Sequence, residues 1–238
     1  TGSVTLGGAF TIDDAEGLSG NFTLSAGTFD ANDHALTIHG DTTLAGGTLK
    51  TGTSTIAFGD SAAVDTVTIS SGELQIESDN VDADIILTNV LSWTNSGGTI
   101  SFLGPSGSTT VFSSLEPYYN LILNAAARTF IQNADMSVNN NLTITAGSLI
   151  TDGYDIDLAG NLSVDGALNA ANGNGGNTTI NVAGNWDMTG GTFTNTNSTV
   201  IFDGTVAQAI SGTDTWYNLT INNTASPEDS NDFDLDTV

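Results

Sequence analysis

Acidic side chains are the groups most able to do chemistry in this sequence. The 238-residue chain carries 27 Asp and Glu against two cationic side chains, Lys50 and Arg128, for a formal net charge of −25. Two sets of carboxylates recur at alternate positions. Asp155 and Asp157 flank Ile156, and Asp232, Asp234 and Asp236 flank Phe233 and Leu235. If the apolar partners point inward, each set of carboxylates shares an outer face. Oxygen ligands in such a row suit Ca²⁺. No cofactor is required by the sequence, and calcium is the one it suggests. The competing expectation is a solvated acidic face. Neither set completes a known calcium loop. Residues 172–178 hold the glycines of a Gly-Gly-x-Gly-x-Asp repeat but no Asp. The Asp232 set lacks the following Gly and distant Glu of an EF-hand.

Other chemistries fare worse. Cysteine is absent, which removes thiolate metal sites and cysteine nucleophiles. His34 and His39 fall in one repeat and read as turn polars. No elbow motif supports a serine nucleophile. Glycoside cleavage needs two carboxylates about 5–9.5 Å apart, and outward Asp pairs meet that spacing by accident. Lyases acting on acidic polysaccharides need cations to offset enolate charge, and Lys50 and Arg128 are the whole supply. The chain is therefore expected not to be an enzyme. Nucleic acid is excluded as a partner for want of clustered Lys and Arg. No apolar stretch reaches about 18 residues, so no membrane insertion is expected within this segment. Seven Asn-x-Ser/Thr sequons stand at Asn21, Asn141, Asn161, Asn177, Asn197, Asn218 and Asn222. They are candidate glycosylation sites in a secreted context. The competing expectation is that Asn simply turns the chain into each strand. Tyr118, Tyr119, Trp216 and Tyr217 are candidates for stacking on a glycan wherever they reach the surface.

The elements that would position these groups come from a repeat. Gly20-Asn21-Phe22-Thr23-Leu24, Gly40-Asp41-Thr42-Thr43-Leu44, Gly160-Asn161-Leu162-Ser163-Val164 and Gly184-Asn185-Trp186-Asp187-Met188 align, and Asn140-Asn141-Leu142-Thr143-Ile144 fits with Asn in the Gly slot. Apolar pairs at alternate positions precede them, at Leu36/Ile38, Met136/Val138, Ile156/Leu158 and Ile180/Val182. Small-residue turns follow. The unit recurs about every 20 residues, a period that belongs to solenoids and related arrays. A loop insertion is expected at 169–177. A longer echo relates Tyr118-Tyr119-Asn120-Leu121-Ile122-Leu123 to Trp216-Tyr217-Asn218-Leu219-Thr220-Ile221, a second period of about 100 residues.

Alternation with period 2 in such short runs predicts strands with one buried face. A strand this short buries that face only by stacking on its equivalent in the next coil. The expected fold is all-β: a right-handed parallel β-helix (β-solenoid) of about 20 residues per coil, with roughly 11–12 coils in one domain over 1–238. A β-sandwich array is the rival, but it lacks a ladder of that period. Turn Gly, Asn and Asp are expected to tolerate positive φ. Trp186 sits in a ladder slot and is expected in the core. Val4/Leu6 and Phe233/Leu235 show no polar cap, so either the chain continues or copies stack end to end.

The Gly-Asn-Leu-Thr/Ser-Ile/Val unit and the Trp216-Tyr217-Asn218-Leu219-Thr220-Ile221 block resemble repeats of large secreted bacterial and archaeal β-solenoid surface proteins, filamentous-haemagglutinin-like adhesins among them. The resemblance covers most of the chain and implies extracellular or cell-surface display, adhesion or fibre formation. It brings no catalytic residue. The expected function is an extracellular structural or adhesive solenoid, a surface stalk or a subunit of a self-assembling filament. Expected partners are further copies, end to end or side by side, and glycans or a host or neighbouring cell surface. The alternatives are a polysaccharide-binding or polysaccharide-cleaving β-helix of tailspike type and, more distantly, an ice-binding solenoid.

Overall fold

The computed structural model describes residues 2–13, 20–59, 65–78, 85–87, 90–104, 107–110, 115–170, 177–225 and 233–235, with the backbone alone at 108–110 and 233–235. It is an all-β solenoid of about 9 turns, with parallel strands stacked about 21 residues apart and almost no helix. A count of 11 or 12 turns is too high because several coils are longer than the repeat period suggests. Glu73 pairs with Thr48 on one side and with Thr99 on the other, and both steps exceed that period. At both steps the paired residues stay in register.

Two compact units divide the chain: residues 1–105 with 114–119, and residues 106–113 with 120–238. In the first unit three parallel sheets carry the coil. One holds Ser3–Thr5, Thr28–Asp30, Thr48–Lys50, Glu73–Ile76 and Thr99–Phe102. The second holds Phe10–Ile12, Leu36–Ile38, Ile56–Phe58 and Ile85–Ile86. The third holds Phe22–Leu24, Thr42–Leu44, Asp65–Ile69 and Val90–Asn95. In the second unit Met136–Val138, Ile156–Leu158, Thr179–Val182, Thr199–Phe202 and Asn218–Ile221 form one sheet. The unit's other strands include Asn120–Ile131, Leu142–Ile150, Leu162–Val164, Ala167–Asn169, Trp186–Asp187, Thr192–Thr194 and Gln208–Ser211, which belong to a separate parallel sheet.

Alternation decides what is inside. In the first unit Leu36 stacks on Ile56 and Ile38 on Phe58, all buried. In the second, Ile156, Ile180 and Val200 form one inward row and Leu158, Val182 and Phe202 the next. Trp186 sits between Leu162 and Ile210 and is fully buried. Each such aliphatic contributes about 1.5–3 kcal/mol over its exposed state. No single three-residue strand could hold itself together on that scale, so the coils stabilise one another. The expected loop at 169–177 starts later than the sequence suggests. Asn169 ends a strand and Ala170 is buried, and 171–176 lie outside the described residues.

Corners set the coil spacing. Gly47 and Gly147 adopt φ of 89° and 88°, which a side chain rarely adopts. The Gly of the Gly-Asn corner has a different reason. A Cβ on Gly40 would lie 2.5 Å from Asn21 Oδ1, and one on Gly184 would lie 2.6 Å from Asn161 Oδ1 and against the Gly160 backbone. Corner backbones of successive coils approach too closely for a methyl group. Gly184→Ala is therefore expected to destabilise the second unit by about 1–3 kcal/mol, read as a lower urea midpoint. An unchanged midpoint would show that the corner is loosely stacked.

Candidate functional site

The polar side chains at the corners are organised into ladders. In the second unit Asn141 Oδ1 accepts the Asn161 N–H at 2.9 Å, Asn161 Oδ1 accepts that of Asn185 at 2.8 Å, and Asn185 Oδ1 accepts that of Ala209 at 2.8 Å. Asn120 Oδ1 starts the run by accepting from Asn140 Nδ2 at 2.9 Å. The first unit repeats the device. Asn21 Oδ1 accepts the Asp41 N–H at 2.9 Å, and Asp41 Oδ1 accepts both the N–H and the hydroxyl of Thr66. Among the described residues outside glycine, positive φ falls at Asn32, Asp33, Asp152 and Asn197, not at these ladder residues. The expected tolerance of positive φ holds at those four turn positions, whereas the Gly-Asn corner uses Asn for another reason. Asn and Asp occupy the Gly-Asn corner as side-chain acceptors for backbone donors that the turn would leave unpaired.

Each unit also uses Asp as an acceptor at another corner. Asp33 Oδ1 accepts the N–H and hydroxyl of Thr53, at 2.8 and 2.9 Å. The Thr53 N–H, and then its hydroxyl, hold the Asp33 carboxyl below the ordinary aspartate value. Asp135 accepts the Asp155 N–H at 2.9 Å, and Asp155 accepts the Thr179 N–H at 2.6 Å.

This geometry bears on the carboxylates singled out by the sequence. Asp155 and Asp157 do not converge on one outer row. Asp155 is engaged by the corner of the next coil. Asp157 does face outward, but its row neighbours are Ser137 and Asn181, not acids. Among the described residues no group of three or more His, Asp or Glu side chains is placed to hold a metal ion. Asp232 and Asp236 lie outside the described residues. Asp234 is placed by backbone alone, on strand Phe233–Leu235 beside Gln208–Ser211. His39 Nδ1 stands 3.3 Å from Asp13 Oδ2, while His34 occupies a separate turn.

The seven sequons separate into two kinds. Asn21, Asn141 and Asn161 are ladder residues, each with its Oδ1 engaged by the next coil. Asn177 and Asn222 are exposed, and Asn218 opens an edge strand. Asn197 sits in a turn with φ of 54°. The signal that could have identified the ladder is the spacing itself. Asp41, Asn185 and Asn120 share one corner slot, yet reading Asn as a generic turn residue hides their common role.

Inside the second unit, Trp186, Phe193, Phe202 and Trp216 form an aromatic cluster with ring centroids 5.1–6.1 Å apart. The Trp186 indole N–H donates to Asp214 Oδ2 at 2.8 Å. Burial pushes the Asp214 carboxyl above its ordinary value, and the indole bond opposes this only in part. Of the four candidates for glycan stacking, Tyr118 is fully buried, Tyr119 is half-buried and Trp216 is held in this cluster. Tyr217 is the one left well exposed.

Outer faces are short and polar. One row of the first unit is regular: Thr23, Thr43, Thr68 and Thr94 stand in register on successive coils. Elsewhere the rows mix types, as in Ser137, Asp157, Asn181, Ile201 and Thr220.

No protein-family model, no curated protein and no solved structure matches the chain.

The ladder makes a direct prediction. Asn161→Ala should cost about 1 kcal/mol in urea denaturation, whereas Asn161→Asp, which keeps the acceptor as Asp41 does, should stay within about 0.5 kcal/mol of the parent. Equal losses would refute the acceptor role. A second prediction concerns pH. The folded state binds the Asp214 proton more tightly than the unfolded state does. That contribution to stability is therefore present below the ordinary value of 3.8 and is lost as pH rises through the raised folded value. Asp214→Asn should gain melting temperature relative to the parent as pH rises across that window. A difference that stays flat with pH would contradict it.

Proposed function

We propose that this chain is an extracellular structural solenoid, a surface stalk or filament subunit whose Thr-, Ser- and Asn-rich faces can serve adhesion. The observation that carries the reading is the use made of its reactive groups. At the described corners Asn and Asp side chains bind the backbone of the next coil, so their chemistry goes into building the wall. The outer Thr row supplies hydroxyls in register, which suits multivalent weak contact with a glycan or a neighbouring surface. The low content of charged residues and the repeat's resemblance to secreted surface solenoids support the extracellular location. A formal net charge of −25 makes neighbouring copies repel. Dense packing of copies is thus expected to need salt or a divalent ion such as calcium bridging different copies.

Electron microscopy of native material tests this. Extended rods or filaments on the cell surface, with an axial repeat of about 4.8 Å, are the expected result. Compact soluble particles that release oligosaccharides from a polysaccharide would overturn it in favour of a carbohydrate-cleaving solenoid.

A further inference from the structure

The fold separates the sequons by what their side chains already do. Transfer of an oligosaccharide to asparagine needs the side-chain amide free and the hydroxyl two residues on free. In the Gly-Asn corners the amide is held. Asn21, Asn141 and Asn161 each bind the N–H of the next coil through Oδ1. A single contact occupies two more sequons. Asn218 Nδ2 donates to Thr199 Oγ1 at 3.4 Å. That engages the amide of Asn218-Leu219-Thr220 and the hydroxyl of Asn197-Ser198-Thr199. Asn222 follows a strand that ends its sheet among the described residues, so its exposure is that of an edge.

Asn177-Thr178-Thr179 differs. Asn177 is exposed, and among the described residues its side chain makes no hydrogen bond. Thr178 is buried and shares its hydroxyl with Thr151 at 2.7 Å. That bond anchors the chain one residue after Asn177, at the entry to strand Thr179–Val182. Ile180 and Val182 are buried, so Thr179 points outward. The Thr179 N–H goes to Asp155 Oδ1 at 2.6 Å, which leaves the hydroxyl uncommitted. The amide and the hydroxyl are thus both free, and the residue between them is fixed in the wall. A surface side chain at a strand entry is also a place where added bulk displaces nothing.

We propose that Asn177 is a site of N-linked glycosylation on the folded chain, the acceptor of an oligosaccharide carried on a lipid pyrophosphate. The proposal rests on the extracellular reading above. In the transfer, Asn177 Nδ2 bonds to the anomeric carbon of the sugar. The bond from that carbon to the pyrophosphate oxygen breaks, and the lipid pyrophosphate leaves with the electron pair. The amide gives one proton to a base of the transferase. The product carries a bulky group at one corner of the second unit, which bars that corner from close packing with another copy.

The unmodified folded chain would be incubated with an oligosaccharyltransferase and a lipid-pyrophosphate oligosaccharide. Mass spectrometry of its peptides would read occupancy at each Asn. Asn177 should be modified about tenfold faster than Asn141 or Asn161, each of which must first give up its corner bond. Short synthetic peptides spanning the three sequons have no corner to open and should differ far less. Thr179→Ala should abolish modification of Asn177 and Thr179→Ser should preserve it, with circular dichroism unchanged in both. A bare Asn177 in the treated folded chain, equal rates at Asn141 and Asn161, or the same preference among the peptides would overturn the site. Native rods whose Asn177 carries no sugar would end the site but leave the structural reading standing. Native material that forms no rods would end the structural reading, whatever Asn177 carries.

Discussion

Everything in this molecule depends on register between coils. A backbone donor in one coil must find its acceptor in the next, and an inward side chain must land on its counterpart. Strands of three residues supply few ladder bonds each, so a slip of one residue would turn every apolar side chain outward. The corners prevent the slip. Asn161, Asn185 and their equivalents fix one coil against the next through a bond from side chain to backbone at a single geometric position. Gly40, Gly160 and Gly184, which precede three of these residues, let the backbones come close enough for that bond to form.

That constraint leaves coil length free. Leu162 pairs with Leu142, Ile180 with Ile156 and Ile100 with Leu74, and the stretch of chain between partners differs in each case. These partners stay aligned although the steps between them are unequal. The same division of labour explains the composition. Small Gly and Ser serve the turns, Thr serves the outer faces, and aliphatic residues serve the inward face of each strand. Among the described residues the buried charged groups are Asp65 and Arg128, the latter 5.6 Å from the Phe130 ring.

Much of the fold could be read from the sequence because the coil is short and its marks are repeated. The apolar pairs Leu36/Ile38 and Ile156/Leu158 identified inward rows, and the slot shared with Phe22 and Leu162 placed Trp186 in the core. The turn count was less legible, since coils with weak marks, such as those around Glu73 and Thr99, are several residues longer. The chemistry was least legible. Asp155 looked like a ligand because alternation places it beside Asp157, but a corner residue does not follow strand parity, and its oxygen meets the Thr179 N–H instead. Only three-dimensional stacking separates a side chain that faces solvent from one that closes a turn. Asp214 gave no local signal, because its partner Trp186 lies 28 residues earlier in the chain.

The direction of the hydrogen bonds has a mechanical meaning. Strand-to-strand bonds and corner bonds both point from one coil to the next, along the axis on which the coils of a unit are stacked. Tension along that axis loads the turns in series, so the weakest gives way first and the others are spared. A released coil of about 20 residues yields about 65 Å of extended chain where about 4.8 Å stood before. Each unit would thus lengthen stepwise under load, dissipating work one turn at a time rather than failing at once.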